Sequence, residues 1–241
     1  MSYYRNPPQR PSGGIGFPPL TPMVRMIMII NGVIWAVQFL LGPVMGVTGL
    51  SRFLGIVPAL VLQGWVWQPI TYMWLHSATD PFHIILNMLF LWMLGGDLER
   101  HWGGRAFLRY YLVCGIGAGL FITVGGLFQN PLIPTVGASG AVYGLILAFG
   151  KVFSERVILF MLIFPMRART FAWIMFAVTF VFTLGHSAGG VSHVAHLGGM
   201  VVGYLYLKRA WRLREFLDEL RWKLRRRKFK VMPPKDDDWI H

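Results

Sequence analysis

The sequence predicts an all-α polytopic membrane protein, a bundle of six transmembrane helices with both termini on one face. Three observations predict it. Of 241 residues, 55% are hydrophobic and only 14% charged. The apolar residues gather in runs long enough to cross the ~30 Å of bilayer hydrocarbon. Of the 23 Lys and Arg residues, all but Arg52 fall in segments that six spans place on one side. The positive-inside rule makes that side cytoplasmic, N-in and C-in. The formal net charge of +13 is mostly this asymmetry. It argues against a nucleic-acid partner, because the basic residues follow the membrane margin.

Residues 1–22 hold Pro7, Pro8, Pro11, Pro18, Pro19 and Pro22 with Gly13, Gly14 and Gly16, a composition that buries no core, and are expected to form a flexible cytoplasmic tail. The apolar run that follows starts too far from the basic beginning, and lacks the small-residue cleavage site, for a cleavable signal peptide. It is read as the first span, 23–42. Further helices are expected at 81–98, 105–128, 138–153, 170–185 and 191–208, giving a membrane domain over 23–208. The eleven residues 156–166 are too few to cross and are read as a loop at the interface, with Pro165 marking its exit. In the basic tail 209–241, Leu213, Leu217, Leu220 and Leu224 stand at helical spacing before a run of Arg and Lys. Either an amphipathic helix drawn to anionic headgroups or a solvated tail that only enforces topology fits this pattern. The single cysteine, Cys114, excludes an intrachain disulfide.

Polar residues inside such segments carry the functional reading, because isolated burial in lipid is costly. Ser139 and His196 each stand twelve positions before the first cation closing their runs, Lys151 and Lys208. At ~1.5 Å per residue both lie roughly 18 Å above the same face. A hydroxyl and an imidazole at one depth are what a nucleophile and its general base require. Asn87 stands twelve positions before Glu99, in the same layer, and His83 is one turn higher on the same helix face. Around the serine, Gly137-Ala138-Ser139-Gly140 allows close backbone approach, and a helix starting there aims free N–H groups at a developing oxyanion. Gly140 and Gly144 form a small-residue stripe matched by Ala195, Gly199 and Gly203, so the two helices can pack closely. Tyr143, one turn below Ser139, is placed to pack on the imidazole. His193 is the nearest rival base but sits nearly a turn higher, while His76 and His186 read as structural. No carboxylate falls in this layer, so a Ser-His dyad fits better than a triad. No cofactor or metal is called for. At roughly 12 Å below the outer hydrocarbon boundary, Ser139 needs a polar cavity open to the outside to receive water. Taken singly, a serine among glycines is ordinarily a packing position, and His83 with Asn87 ordinarily an interhelical hydrogen-bonded pair.

In chain order, Leu75-His76, His83-Ile84-Ile85-Leu86-Asn87-Met88, Gly137-Ala138-Ser139-Gly140 and Ala195-His196-Leu197-Gly198-Gly199 through Gly203 resemble the motifs of the rhomboid intramembrane serine proteases, over about residues 50–207. The resemblance implies a rhomboid-like bundle with Ser139 as nucleophile and His196 as base. It implies His83 and Asn87 as oxyanion donors beside backbone N–H groups near Ala138 and Ser139, and Tyr143 stacked on His196. It further implies a partly membrane-inserted loop at 43–80 and transmembrane protein substrates cut in or near their spans. The helix at 170–185 would be a lateral gate bearing Phe171, Trp173, Phe176, Phe180 and Phe182. The Trp-Arg pair that many relatives carry in the first loop is absent. Six spans suggest the prokaryotic form, in the cell (inner) membrane with the site opening outward. Two other classes compete: a metal or solute transporter using His76, His83, His193 and His196, and a catalytically inactive scaffold of the same fold. No His-Glu-x-x-His pattern and no mid-depth carboxylate support the first, and the presence of both serine and histidine weighs against the second.

Overall fold

The computed structural model describes residues 19–160, 163–184 and 193–209. Helix α1 (Pro22–Phe39) begins with proline, whose missing N–H costs nothing in the first turn. It continues into a π-turn at Leu40–Val44, where Pro43 has no N–H to give and Met45 N–H reaches back to the Leu40 carbonyl at 3.0 Å. Three short helices follow, α2 (Leu50–Leu54), α3 (Pro58–Leu62) and α4 (Gln68–Thr71), before a 3-10 turn at Tyr72–Trp74. The long helices α5 (Pro81–Trp102) and α6 (Gly104–Gly126) meet at Gly103, whose φ of +83° favours glycine. Helix α7 (Ser139–Val152), α8 (Ala168–Leu184) and α9 (193–209) complete the helices among the described residues. Pro22–Val44, Pro81–Trp102 and Gly104–Gly126 are long and apolar enough to cross a membrane; α7 and α8 are shorter apolar helices.

Helix α7 is the hub, packed against α5, α6 and α8. Its faces carry small residues where neighbours press closest. A Cβ added at Gly144 would lie 2.6 Å from Cys114 Sγ of α6, and one at Gly199 of α9 would run into the Gly140 carbonyl. Large aromatics fill the rest: Tyr72, Tyr110, Tyr111, Phe107 and Phe171 are fully or almost fully buried. The Tyr72 hydroxyl donates to the Gly115 carbonyl at 2.7 Å, and that of Tyr110 to the Gly144 carbonyl at 2.8 Å, so each polar tip is satisfied.

Three sequence expectations are corrected. Within 156–166, expected as an irregular interface loop, the described residues on either side of 161–162 pair as antiparallel strands. Strands β1 (Val157–Phe160) and β2 (Phe164–Arg167) pair with Val157 opposite Arg167 and Leu159 opposite Pro165. Pairing satisfies backbone groups that a loop at a membrane margin would leave open, and Phe160 packs on Phe171 with ring centroids 5.4 Å apart. The helix expected at 81–98 runs on to Trp102 as α5, past Glu99, which does not mark an exposed end. Glu99 is buried and accepts hydrogen bonds from the Thr21 hydroxyl and from Met23 N–H and Val24 N–H, both at 3.0 Å. Those same bonds cap α1 and hold Thr21, while Arg100 donates to the Pro19 carbonyl at 3.5 Å, so residues expected in the flexible tail are tied to α5. Residues 1–18 and the tail 210–241, including its proposed amphipathic segment, lie outside the described residues, as do residues 185–192 with His186.

Candidate active site

Ser139 is the first residue of α7, and the segment leading into it is held from both sides. Thr135 exchanges two backbone hydrogen bonds with Ile56, at 2.8 and 2.9 Å, and Gly137 N–H donates to the Tyr72 carbonyl at 3.0 Å. Gly137 has φ of +132°, and a Cβ there would stand 2.7 Å from His83 Nε2. Backbone and space both demand glycine. The first bond of α7 runs from Val142 N–H to the Ala138 carbonyl at 3.1 Å. The N–H groups of Ser139, Gly140 and Ala141 thus lie ahead of any intrahelical acceptor, at the positive end of the helix.

The half-buried Ser139 hydroxyl and His196 Nε2 are 2.9 Å apart. The ring of Tyr143 stacks on that of His196, centroids 4.0 Å apart and planes 4° from parallel. His193 turns its edge to His196 at 6.0 Å and stacks on Phe182 of α8 at 5.1 Å. His196 Nδ1 meets no hydrogen-bonding group among the described residues. The close α7–α9 approach rests on Gly140 and Gly199. Gly144 continues the contact, with the Gly199 carbonyl oxygen 3.3 Å from where its Cβ would be, whereas Gly203 packs on α6, with Cys114 Sγ 3.2 Å from its own Cβ position.

On α5, His83 Nδ1 faces Ser77 N–H at 3.4 Å. Accepting there places the imidazole proton on Nε2, the nitrogen aimed at Gly137. The buried Asn87 donates one amide hydrogen to the His83 carbonyl at 2.8 Å and retains a second. His76 is buried, its ring 5.2 Å from that of His83, and neither of its nitrogens has a protein partner among the described residues.

A family model for the rhomboid domain matches residues 63–212, a stretch containing Ser139, His196, His83 and Asn87. The chain belongs to the rhomboid family. Among its rhomboid relatives, RHOMBOID-like protein 1 of Arabidopsis thaliana is 34% identical over 143 residues, 58% of this chain and 33% of the relative. Rhomboid protein 1, mitochondrial, of Saccharomyces cerevisiae is 31% identical over 135 residues, 54% of this chain and 38% of the relative. Rhomboid protease GluP of Bacillus subtilis is 27% identical over 147 residues, 61% of this chain and 26% of the relative. The chain therefore covers between 26% and 38% of the length of these proteins. Family membership and the apolar helices make this rhomboid an integral, multi-pass membrane protein.

Several supporting residues escaped the sequence reading. Gln38 of α1 donates to the His76 carbonyl and accepts from His76 N–H, both at 3.0 Å, clamping the first loop to the first helix. The fully buried Gln68 accepts from Val57 N–H and donates to the Arg52 carbonyl, both at 2.9 Å, and Trp67 Nε1 donates to the Phe53 carbonyl at 2.9 Å. These bonds anchor the loop without a Trp-Arg pair. The available signal was a glutamine within an apolar stretch, Gln38 alone in the first and Gln68 beside Gln63 in the second, since burial tolerates an amide only when both of its ends are paired. The five aromatics of α8 also divide. Phe171 is buried against Phe90 of α5 at 5.9 Å, whereas Trp173 is 70% exposed and Phe180 and Phe182 are partly so.

Proposed function

We propose that this rhomboid is an intramembrane serine endopeptidase that cuts peptide bonds in or near the spans of other membrane proteins. The observation that carries the reading is the 2.9 Å contact between Ser139 Oγ and His196 Nε2 at the N-terminus of α7. In the acting state Nε2 is unprotonated and accepts the Ser139 proton as Oγ attacks the scissile carbonyl carbon. The resulting oxyanion is met by the free N–H groups at the start of α7, His83 Nε2–H and the second amide hydrogen of Asn87. His196 then returns the proton to the leaving amine. Water repeats the sequence on the acyl-enzyme, with His196 again as base, and frees Ser139. Tyr143 holds the imidazole plane where a triad would use a carboxylate.

Helix α7 has 14 residues and is about 21 Å long. A helix of that length reaching the basic margin with Lys151 begins well inside ~30 Å of hydrocarbon. This supports the six-span, N-in and C-in arrangement in which the nucleophile is submerged and opens toward the outer face of a cell membrane.

Cleavage of a transmembrane substrate in proteoliposomes tests the chemistry. Ser139→Ala and His196→Ala each abolish it, and the double variant is no worse than either, because the two act as a unit. His83→Ala or Asn87→Ala lowers kcat by roughly 10²- to 10³-fold, the usual worth of one oxyanion donor. Wild-type cleavage by folded Ser139→Ala protein refutes the mechanism.

A further inference from the structure

A groove of about 410 Å³ opens between α7, α8 and α9 at the basic end of the bundle. Leu147 of α7, Phe176 of α8, and Met200 and Val201 of α9 give it an apolar wall, and Lys151 and Arg169 stand at its rim. Along α8 it runs from Arg169 to Phe176, roughly 10 Å. The Lys151 ammonium lies over the Tyr204 ring, 4.9 Å from its centroid, and no carboxylate among the described residues pairs with it. Arg169 bonds Glu155 at 2.7 Å, but Glu155 is already shared with Arg167 at 3.2 Å. The rim therefore carries more positive than negative charge over an apolar slot whose lining includes neither Ser139 nor His196.

We infer that this groove binds an anionic phospholipid, its phosphate on Lys151 and Arg169 and an acyl chain along α8. An amphiphile with an anion at one end of a hydrocarbon chain matches both features of the site. The basic tail is a poor occupant: residues 211–230 carry nine Lys and Arg residues against Glu215, Asp218 and Glu219, a net positive charge that the rim repels. A transmembrane segment fills the apolar part but supplies no anion at the rim. Leu147 and Met200 stand one turn below Tyr143 and His196 respectively, so the bound lipid wedges α8 against the two helices that hold the serine and the histidine. Lipid binding in this groove needs no hydrolysis at Ser139.

The test uses the full chain in nanodiscs of phosphatidylcholine with increasing phosphatidylglycerol, with retained lipid measured by native mass spectrometry. Wild-type protein retains phosphatidylglycerol in preference to phosphatidylcholine. Lys151→Gln weakens retention about fivefold and Lys151→Gln with Arg169→Gln about 25-fold, the effect of removing basic residues at an anionic membrane surface. Leu205→Trp, at an exposed lining position, fills the slot and weakens retention with both cations in place. Arg105→Gln, an exposed cation elsewhere, changes retention less than about twofold. Melting in phosphatidylcholine alone reports that each variant is folded. Equal loss in Arg105→Gln and Lys151→Gln overturns the proposal in favour of general leaflet attraction. Displacement by inorganic phosphate, displacement by an added transmembrane substrate, or undiminished retention in the folded double variant overturns it as well.

Discussion

Gly199 of α9 lies against the backbone of Gly140, and an alanine there has nowhere to place its methyl group. The Cβ would stand 2.7 Å from the Gly140 carbonyl carbon and 3.2 Å from its Cα, closer still to the carbonyl oxygen. Ordinary carbon contacts need about 3.5 Å, so α7 and α9 must part by at least about 0.8 Å. These are backbone atoms, and no rotamer change relieves them. Ser139 precedes Gly140 in the chain and His196 is one turn from Gly199. The separation therefore passes to the Ser139–His196 contact, from 2.9 Å to about 3.7 Å, beyond hydrogen-bond range. A displacement of this order at reacting groups costs roughly 10²-fold in rate, and overpacking costs about 1–3 kcal/mol of stability. The assay is the initial rate of transmembrane-substrate cleavage in proteoliposomes for Gly199→Ala, with thermal melting in parallel. Gly203→Ala is the comparison, since its Cβ would meet the Tyr110 hydroxyl and Cys114 Sγ, side-chain atoms able to yield; it loses less activity. Gly32→Ala, inside α1 with nothing within 4 Å, leaves cleavage unchanged and does not lower the melting temperature. A folded Gly199→Ala protein cleaving at the wild-type rate refutes the reasoning.

Glu99→Gln removes one charged acceptor from the three donors that cap α1 and lowers stability by about 1.5–3 kcal/mol; an unchanged melting temperature shows that the cap contributes nothing. Phe182→Ala frees the outer end of α8 from His193, and the lost aromatic contact of about 1 kcal/mol raises cleavage of a transmembrane substrate up to about fivefold while lowering stability. Trp173→Ala, exposed on the groove, gives no such rise, and equal rates for the two variants exclude a gate at the outer end. Ser139→Cys in a Cys114→Ala background is modified by a membrane-impermeant thiol reagent added at the face opposite the basic end; modification only from the basic side overturns the proposed orientation.

The sequence alone determined the membrane class, the helix order and the candidate residues, because lipid imposes constraints that read locally. An apolar run must span, a cation must stay at a margin, and a polar group within a span needs a reason. Equal spacing from Lys151 and Lys208 was enough to put Ser139 and His196 in one layer. Rotation about each helix axis was decided only by tertiary packing. The 2.9 Å contact and the Tyr143 stack exist because Gly140 and Gly199 let two backbones touch. The orienting of His83 by Ser77, the two glutamine clamps and the capping of α1 by Glu99 likewise join residues 6, 38, 11 and 75 or more positions apart. The pairing of Val157–Phe160 with Phe164–Arg167 was illegible for a related reason: a short apolar stretch has no period that separates strand from loop, and the pairing and the contact with Phe171 settle the matter. Hydropathy is a property of each segment by itself, whereas a hydrogen bond between segments depends on the distance and angle at which the others have already packed.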